Sequence, residues 1–126
     1  MTPNTLLLRQ IHPNFVQNGR VTSQAFRPTP KDELRLSVDN GDCVTAEAAW
    51  QRFTADAVCK SLGVQAISKV ECETQDLPVI EDANPYLEHC SIDFAAHNKK
   101  AIEKKAKTLR AKAELRGWIF KEYTGA

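Results

Sequence analysis

The hydrophobic period changes along this chain, and that change limits the folds open to it. Between residues 46 and 62, apolar residues recur every three or four positions, which predicts a helix. Between residues 34 and 39 they alternate with polar residues, which predicts a strand. The same two periods predict further strands over 6–11, 20–26, 64–72 and 87–94, a helix over 99–116, and a final strand or packed tail over 118–123.

The resulting order, β-β-β-α-β-β-α-β, predicts a single α+β domain over residues 1–126. We expect a mostly antiparallel sheet of five or six strands with both helices packed on one side. A length of 126 residues is typical of one domain, and 42% apolar with 26% charged residues is ordinary for a globular protein. The chain has no apolar run near the roughly 18 residues of a membrane span, and it opens without a basic, signal-like lead. We therefore expect a soluble, cytoplasmic protein without a membrane association.

Both predicted helices carry end signals. Thr45 is a good N-cap for the first helix, and Gly63 stands where a left-handed C-terminal cap would lie. Asn98 can cap the second helix, which Gly117 would end. The buried stripe predicted for the second helix consists of Ile102, Ala106, Leu109 and Ala113.

Polar side chains are concentrated early in the chain, where Pro28 and Pro30 stiffen the backbone between them. If the first two strands are neighbours, the imidazole of His12, the guanidinium of Arg20 and the hydroxyl of Ser23 point into one hollow. An arginine fork with hydroxyl donors suits a phosphate or carboxylate group. The candidate ligand-binding residues are His12, Arg20, Thr22, Ser23, Gln24, Arg27 and Lys31. The alternative is a solvated strand face.

The segment with His12, Arg20, Thr22 and Ser23 resembles the opening of ADP-ribosyltransferase-like domains. The resemblance covers under a quarter of the chain. It implies a compact nucleotide-binding enzyme in which His12, Arg20 and Ser23 hold a dinucleotide such as NAD. The glutamate-bearing motif of that superfamily has no clear counterpart here. As a whole, the chain resembles small bacterial cytosolic proteins of uncharacterised function.

The charge of the chain is unevenly distributed. Residues 1–98 carry 8 Lys and Arg against 13 Asp and Glu, whereas residues 99–126 carry 9 against 3. The excess of positive charge in the second helix therefore predicts a binding surface for an acidic partner. The candidate contacts are Lys104, Lys105, Lys107 and Arg110. Pairing with the acidic segment 71–93, a solvated face and nucleic-acid binding are the alternatives. The net charge of +1 and the lack of aromatic residues on this helix disfavour nucleic acid.

The motifs of common catalytic and cofactor sites are missing from the sequence. It contains no glycine-rich phosphate loop, no Walker motif and no HExxH, so we expect no cofactor. The four cysteines form no CxxC, which favours reduced thiols and no bound metal. His89, Ser91 and Asp93 share a strand face, but a spacing of roughly 7 Å is too long for a catalytic relay. A metal site using His89, Asp93 and His97 is an alternative.

These observations predict a small bacterial cytosolic interaction protein that acts through a protein partner. The product of a neighbouring gene is a candidate for that partner. The sequence leaves two alternative functions open, a nucleotide-binding enzyme and a nucleic-acid binder. It does not decide whether the protein catalyses a reaction.

Overall fold

The computed structural model describes residues 1–122, which contain eight strands and three α-helices. The strands are β1 (Leu6–Gln10), β2 (Val16–Gln17), β3 (Arg20–Val21), β4 (Arg35–Asn40), β5 (Gly63–Ser68), β6 (Val79–Ile80), β7 (His89–Asp93) and β8 (Phe120–Lys121). The helices are α1 (Ala46–Thr54), α2 (Lys69–Thr74) and α3 (Lys99–Arg116). Three short 3-10 turns occupy Pro13–Phe15, Ser23–Phe26 and Pro30–Asp32.

Six of these strands form one sheet in the order β6-β7-β4-β1-β5-β8, and β2 pairs with β3 in a separate ribbon. All of these strand pairs are antiparallel. The α+β class and the antiparallel sheet of six strands are therefore confirmed.

The two long helices cover opposite faces of the sheet. Leu7 belongs to the core beneath α3, whereas its neighbour Leu8 belongs to a second core beneath α1. Because successive side chains of a strand point to opposite faces, each layer needs its own cover. All residues of β5 are buried, as expected for a strand covered on both sides. The prediction that both helices pack on one side is therefore wrong.

Helix α3 has the predicted bounds and the predicted buried face. The side chain of Asn98 accepts a hydrogen bond from the Ala101 amide at 2.9 Å, and the helix ends at Gly117, whose φ is +83°. The buried residues of the helix are Ile102, Ala106, Leu109 and Ala113. This element is confirmed in full.

Helix α1 begins as predicted but is shorter. Thr45 caps it by accepting a hydrogen bond from the Ala48 amide at 3.1 Å. It ends at Thr54 rather than at residue 62, and Asp56 then accepts a turn-forming hydrogen bond from the Val58 amide. Gly63 is not a helix cap but the first residue of β5, where φ is +156° and a Cβ atom would collide with the backbone of β8.

The predicted strand over 20–26 is also shorter. Only Arg20–Val21 is extended, and Ser23–Phe26 forms a 3-10 turn. Ala25 and Phe26 are both fully buried. Successive side chains of a strand point to opposite faces, so two consecutive residues buried in one core indicate a turn rather than a half-exposed strand.

The predicted strand over 64–72 breaks at Ser68 because a capping box starts α2 there. The Ser68 hydroxyl accepts from the Glu71 amide at 3.2 Å, and the Glu71 carboxylate accepts from the Ser68 amide at 2.7 Å. The strand predicted over 87–94 is confirmed as β7, over the shorter span His89–Asp93. In the final segment, Phe120–Lys121 is extended, and Tyr123 lies outside the described residues.

Candidate functional site

Two regions that the sequence singled out separately meet in one shallow depression. Its volume is about 400 Å³, and its lining residues are Gln17, Asn18, Arg20, Val21, Thr22, Ser23, Lys107 and Arg110. They meet because the turn after β3 packs against α3, where the Arg110 guanidinium donates to the Val21 carbonyl at 2.9 Å. Three predicted ligand-binding residues therefore lie beside two predicted partner-binding residues.

One carboxylate of α3 binds both arginines that line this depression. Arg20 donates two hydrogen bonds to Glu114, at 2.8 and 2.9 Å, and Arg110 donates a third at 2.8 Å. The hydrogen bonds from Arg20 lower the pKa of Glu114, and they raise the pKa of Arg20. Glu114 therefore neutralises part of the positive charge, and Lys107 remains without an ion pair among residues 1–122.

The exposed lysines of α3 extend this positive surface. Lys100, Lys104 and Lys107 are spaced i, i+4 and i+7, so they share one side of the helix, and all three are exposed. In the part of the chain that the structure describes, none of them forms a salt bridge. Of the other two predicted partner contacts, Lys105 donates to the Gln75 carbonyl at 2.5 Å and Arg110 is committed to the Val21 carbonyl.

The remaining predicted ligand residues lie elsewhere. His12 lines a separate cleft on the α1 side of the sheet, where its Nδ1 accepts from the Asn14 amide at 2.9 Å. The expectation that His12 shares a hollow with Arg20 and Ser23 is therefore wrong, because the two cavities lie against different helices. Three predicted residues are exposed and line neither cavity: Gln24, Arg27 and Lys31.

The cleft that contains His12 opens where two central strands diverge. β1 and β4 pair only through Leu7–Asn40 and Leu8–Asp39, whereas β1 pairs with β5 at five positions. Arg9 fills the gap by donating to the carbonyls of Ala25 at 2.8 Å and Ser37 at 3.1 Å. Burial lowers the pKa of Arg9 to about 10, although Asp32 opposes this shift. The cleft beside this gap has a volume of about 490 Å³.

Arg52 of α1 contacts three side chains around the cleft. It forms an ion pair with Glu88, and its Nη2 lies 3.7 Å from the Asp39 carboxylate. Its guanidinium carbon also lies 3.8 Å from the centre of the Tyr86 ring, within the range of a cation–π contact. Burial raises the pKa of Asp39, and the positive charge of Arg52 offsets only part of that shift.

His89 is positioned by an aspartate that the sequence did not single out. Its Nδ1 lies 2.5 Å from Asp82, and Ser91 donates to the other oxygen of that carboxylate, also at 2.5 Å. Burial raises the pKa of Asp82, but the hydrogen bonds from Ser91 and His89 outweigh it and hold that pKa below its usual range. Because Ser91 contacts Asp82 rather than His89, these residues do not form a nucleophile relay.

The alternative metal ligands do not converge. His97 contacts the Asp76 carbonyl at 2.8 Å, and Asp93 accepts from the Ala95 amide at 2.9 Å. Within residues 1–122, no three His, Cys, Asp or Glu side chains are grouped to hold a metal ion. The four cysteines are free thiols, and burial raises the pKa of Cys72 to about 12 and that of Cys90 to about 11.

Most of the cleft residues had no local signal in the sequence. Arg52 and Glu88 are 36 positions apart, and Asp82 belongs to a segment that reads as a polar loop. Only His12 and His89 stood out by residue type. No protein-family model, curated protein or solved structure matches this chain. The helices within residues 1–122 are too short or too polar to serve as a membrane span.

Proposed function

We propose that this chain is a small bacterial cytosolic interaction protein that binds an acidic region of a protein partner through one side of α3. The binding surface consists of Lys100, Lys104 and Lys107 and the adjoining depression; we call it the basic face. The observation that carries this proposal is that some cations of α3 bond to the fold and others do not. Lys105, Arg110 and Arg116 bond to backbone carbonyls of the fold, whereas the three lysines of the basic face have no such role.

The geometry of the basic face suits a carboxylate-bearing segment. At about 1.5 Å per residue, the row from Lys100 to Lys107 is roughly 10 Å long, which matches one or two turns of an acidic helix or a few extended residues. Leu115 is 85% exposed and lies about three turns beyond Lys104 on the same side of α3. It supplies an apolar contact about 12 Å beyond the end of the charged row, and protein interfaces combine both kinds of contact.

The alternatives have less support from the geometry. The nucleotide-binding enzyme requires His12, Arg20 and Ser23 around one ligand, and they line two different cavities. A nucleic-acid interface is favoured by aromatic residues for base stacking, and the residues of α3 include none. The basic face therefore fits an acidic protein better than either.

The test is a quantitative pull-down with three forms of the full chain from cells that carry its gene. The first is the native protein, the second carries Lys104→Glu and Lys107→Glu, and the third carries Lys112→Glu as a single-reversal control. Lys112 is exposed on the same helix, about 140° round the axis from Lys107 and about 80° from Lys104. We expect the double reversal to weaken partner binding by about tenfold, since two reversed rim charges change the binding free energy by about 1.4 kcal/mol.

The control should retain the partner at the native level, and added salt should weaken binding by the native protein. Equal recovery of every partner by all three forms would refute the proposal. Recovery that disappears after nuclease treatment would identify nucleic acid instead, and it would equally contradict an acidic protein partner.

A further inference from the structure

The cleft on the α1 side of the sheet has the size and lining of a site for a small organic molecule. Its volume of about 490 Å³ falls within the roughly 300–1,000 Å³ of such sites. Its apolar walls include Leu8, Phe15, Ala49, Phe53 and Tyr86. Three of these side chains are aromatic, so the walls favour a flat, apolar ligand body.

Three buried polar atoms in this cleft form no hydrogen bond within the described residues. They are both amide atoms of Gln10 and the Nη2 of Arg52, of which Nη2 lies 3.7 Å from the Asp39 carboxylate as an ion pair. The great majority of buried polar atoms in folded proteins are paired, because an unpaired one loses its hydration without compensation. The Gln10 amide is therefore the polar group of the cleft that a bound ligand can satisfy.

The charges around the cleft argue against an ionic ligand. The basic lining residues Arg9, Arg52 and Lys60 are nearly balanced by Asp39 and Asp56. Glu88 also pairs with Arg52, which leaves little net charge to attract an anion. A carboxylate ligand near Arg52 would additionally face Asp39, whose oxygen lies 3.7 Å from the same guanidinium nitrogen.

The atoms without hydrogen bonds indicate which polar group of a ligand fits the cleft. Arg52 Nη2 can only donate, whereas the Gln10 amide can donate through Nε2 and accept through Oε1. A carboxylate would leave Oε1 unpaired, and a cation would leave both donors unpaired. An amide has a carbonyl and an N–H side by side, so it satisfies both kinds of group.

We propose that the cleft binds a neutral organic molecule with an aromatic body and an amide edge, such as a carboxamide or a lactam. Because the Gln10 amide atoms are shielded from solvent, its side chain has to change rotamer to reach the ligand. This site is distinct from the basic face, because the cleft and the depression beside α3 share no lining residue.

Three nearly isosteric probes test the proposal: benzamide is neutral, benzoate is an anion and benzamidine is a cation. Each is titrated into the full chain, and binding is followed by backbone amide NMR shifts. We expect benzamide to bind in the millimolar range, about tenfold more tightly than the two charged probes, with shifts concentrated at Leu8, Ala49 and Arg52. Gln10→Leu should remove that preference.

Two further variants keep the test decisive. Gln24→Leu is the matched control, because Gln24 is exposed and lines neither cavity, and it should leave the preference intact. Ser37→Phe places a bulky ring at an exposed cleft residue and should weaken benzamide binding by about tenfold. The Lys104→Glu and Lys107→Glu form should bind benzamide like the native protein, which separates this site from the partner surface.

Equal affinity for the three probes would overturn the proposal, and so would a preference for benzamide that survives Gln10→Leu. Absence of saturable binding, or shifts confined to residues outside the cleft, would overturn it as well.

Discussion

The unpaired amide of Gln10 predicts a substitution that makes the fold more stable. Gln10→Leu replaces two buried polar atoms that lack partners with an apolar side chain of similar volume. An unsatisfied buried polar group costs about 1–3 kcal/mol, and Gln10 is only partly buried as a whole residue, which favours the low end. The leucine would join Leu8 on the same strand face, against the core beneath α1.

We therefore expect Gln10→Leu to raise the free energy of unfolding by about 1–2 kcal/mol. For a chain of 126 residues this corresponds to a rise in Tm of roughly 3–8 °C. Urea titration followed by tryptophan fluorescence measures it, because the Trp50 indole donates to the Ser61 carbonyl at 2.9 Å and reports on the fold. Calorimetry gives the Tm independently.

The exposed glutamine provides the control here too. Gln24→Leu should change the free energy of unfolding by less than about 0.5 kcal/mol, since the residue is exposed. Loss of more than about 1 kcal/mol in Gln10→Leu would show that the native amide is satisfied, for example by a bound water, and would refute the reasoning.

Three more predictions concern the fold itself. Leu109→Ala should destabilise the protein by about 2–5 kcal/mol in urea titration because Leu109 is fully buried, whereas Leu115→Ala should change it by less than about 0.5 kcal/mol. Gly63→Ala should lower the free energy of unfolding by at least about 2 kcal/mol, because φ is +156° and the added Cβ meets the backbone of β8; calorimetry would contradict this if the Tm were unchanged. The lowered pKa of Asp82 stabilises the fold above the unfolded pKa of that carboxyl, and this contribution is lost as the pH falls through the folded value. In Asp82→Asn, the free energy of unfolding should therefore fall less steeply with decreasing pH than in the native protein. Equally steep curves of unfolding free energy against pH for the two forms would count against this.

Helix α3 shows how much local sequence can predict. Its N-cap, its terminal glycine and its buried stripe all lie within 20 residues, and the structure confirms each of them. The interactions that define such a helix connect residues three or four positions apart, so they are present in the sequence pattern itself. The same is true of the alternation in β4, where Leu36 and Val38 are buried and Arg35 and Ser37 are exposed.

One segment of sequence can carry signals for both a strand and a helix, and the stronger signal then determines the structure. The alternation after Gly63 favours a strand through residue 72, but the capping box of Ser68 and Glu71 starts α2. That S-x-x-E signature was readable in the sequence. The 3-10 turn at Ser23–Phe26 had no comparable signature, because it forms where Ala25 and Phe26 enter the core beneath α3.

The candidate sites depend on contacts between distant parts of the chain. The residue types of His12, Arg20 and Lys107 indicated polar chemistry, but strand pairing decided that His12 faces a cleft beneath α1 while Arg20 joins Lys107 beside α3. Sequence alone determined the elements with local periodicity and local caps. Only the tertiary structure determined which face of the sheet each element covers and where β1 and β4 diverge, because register and packing depend on residues far apart in the chain.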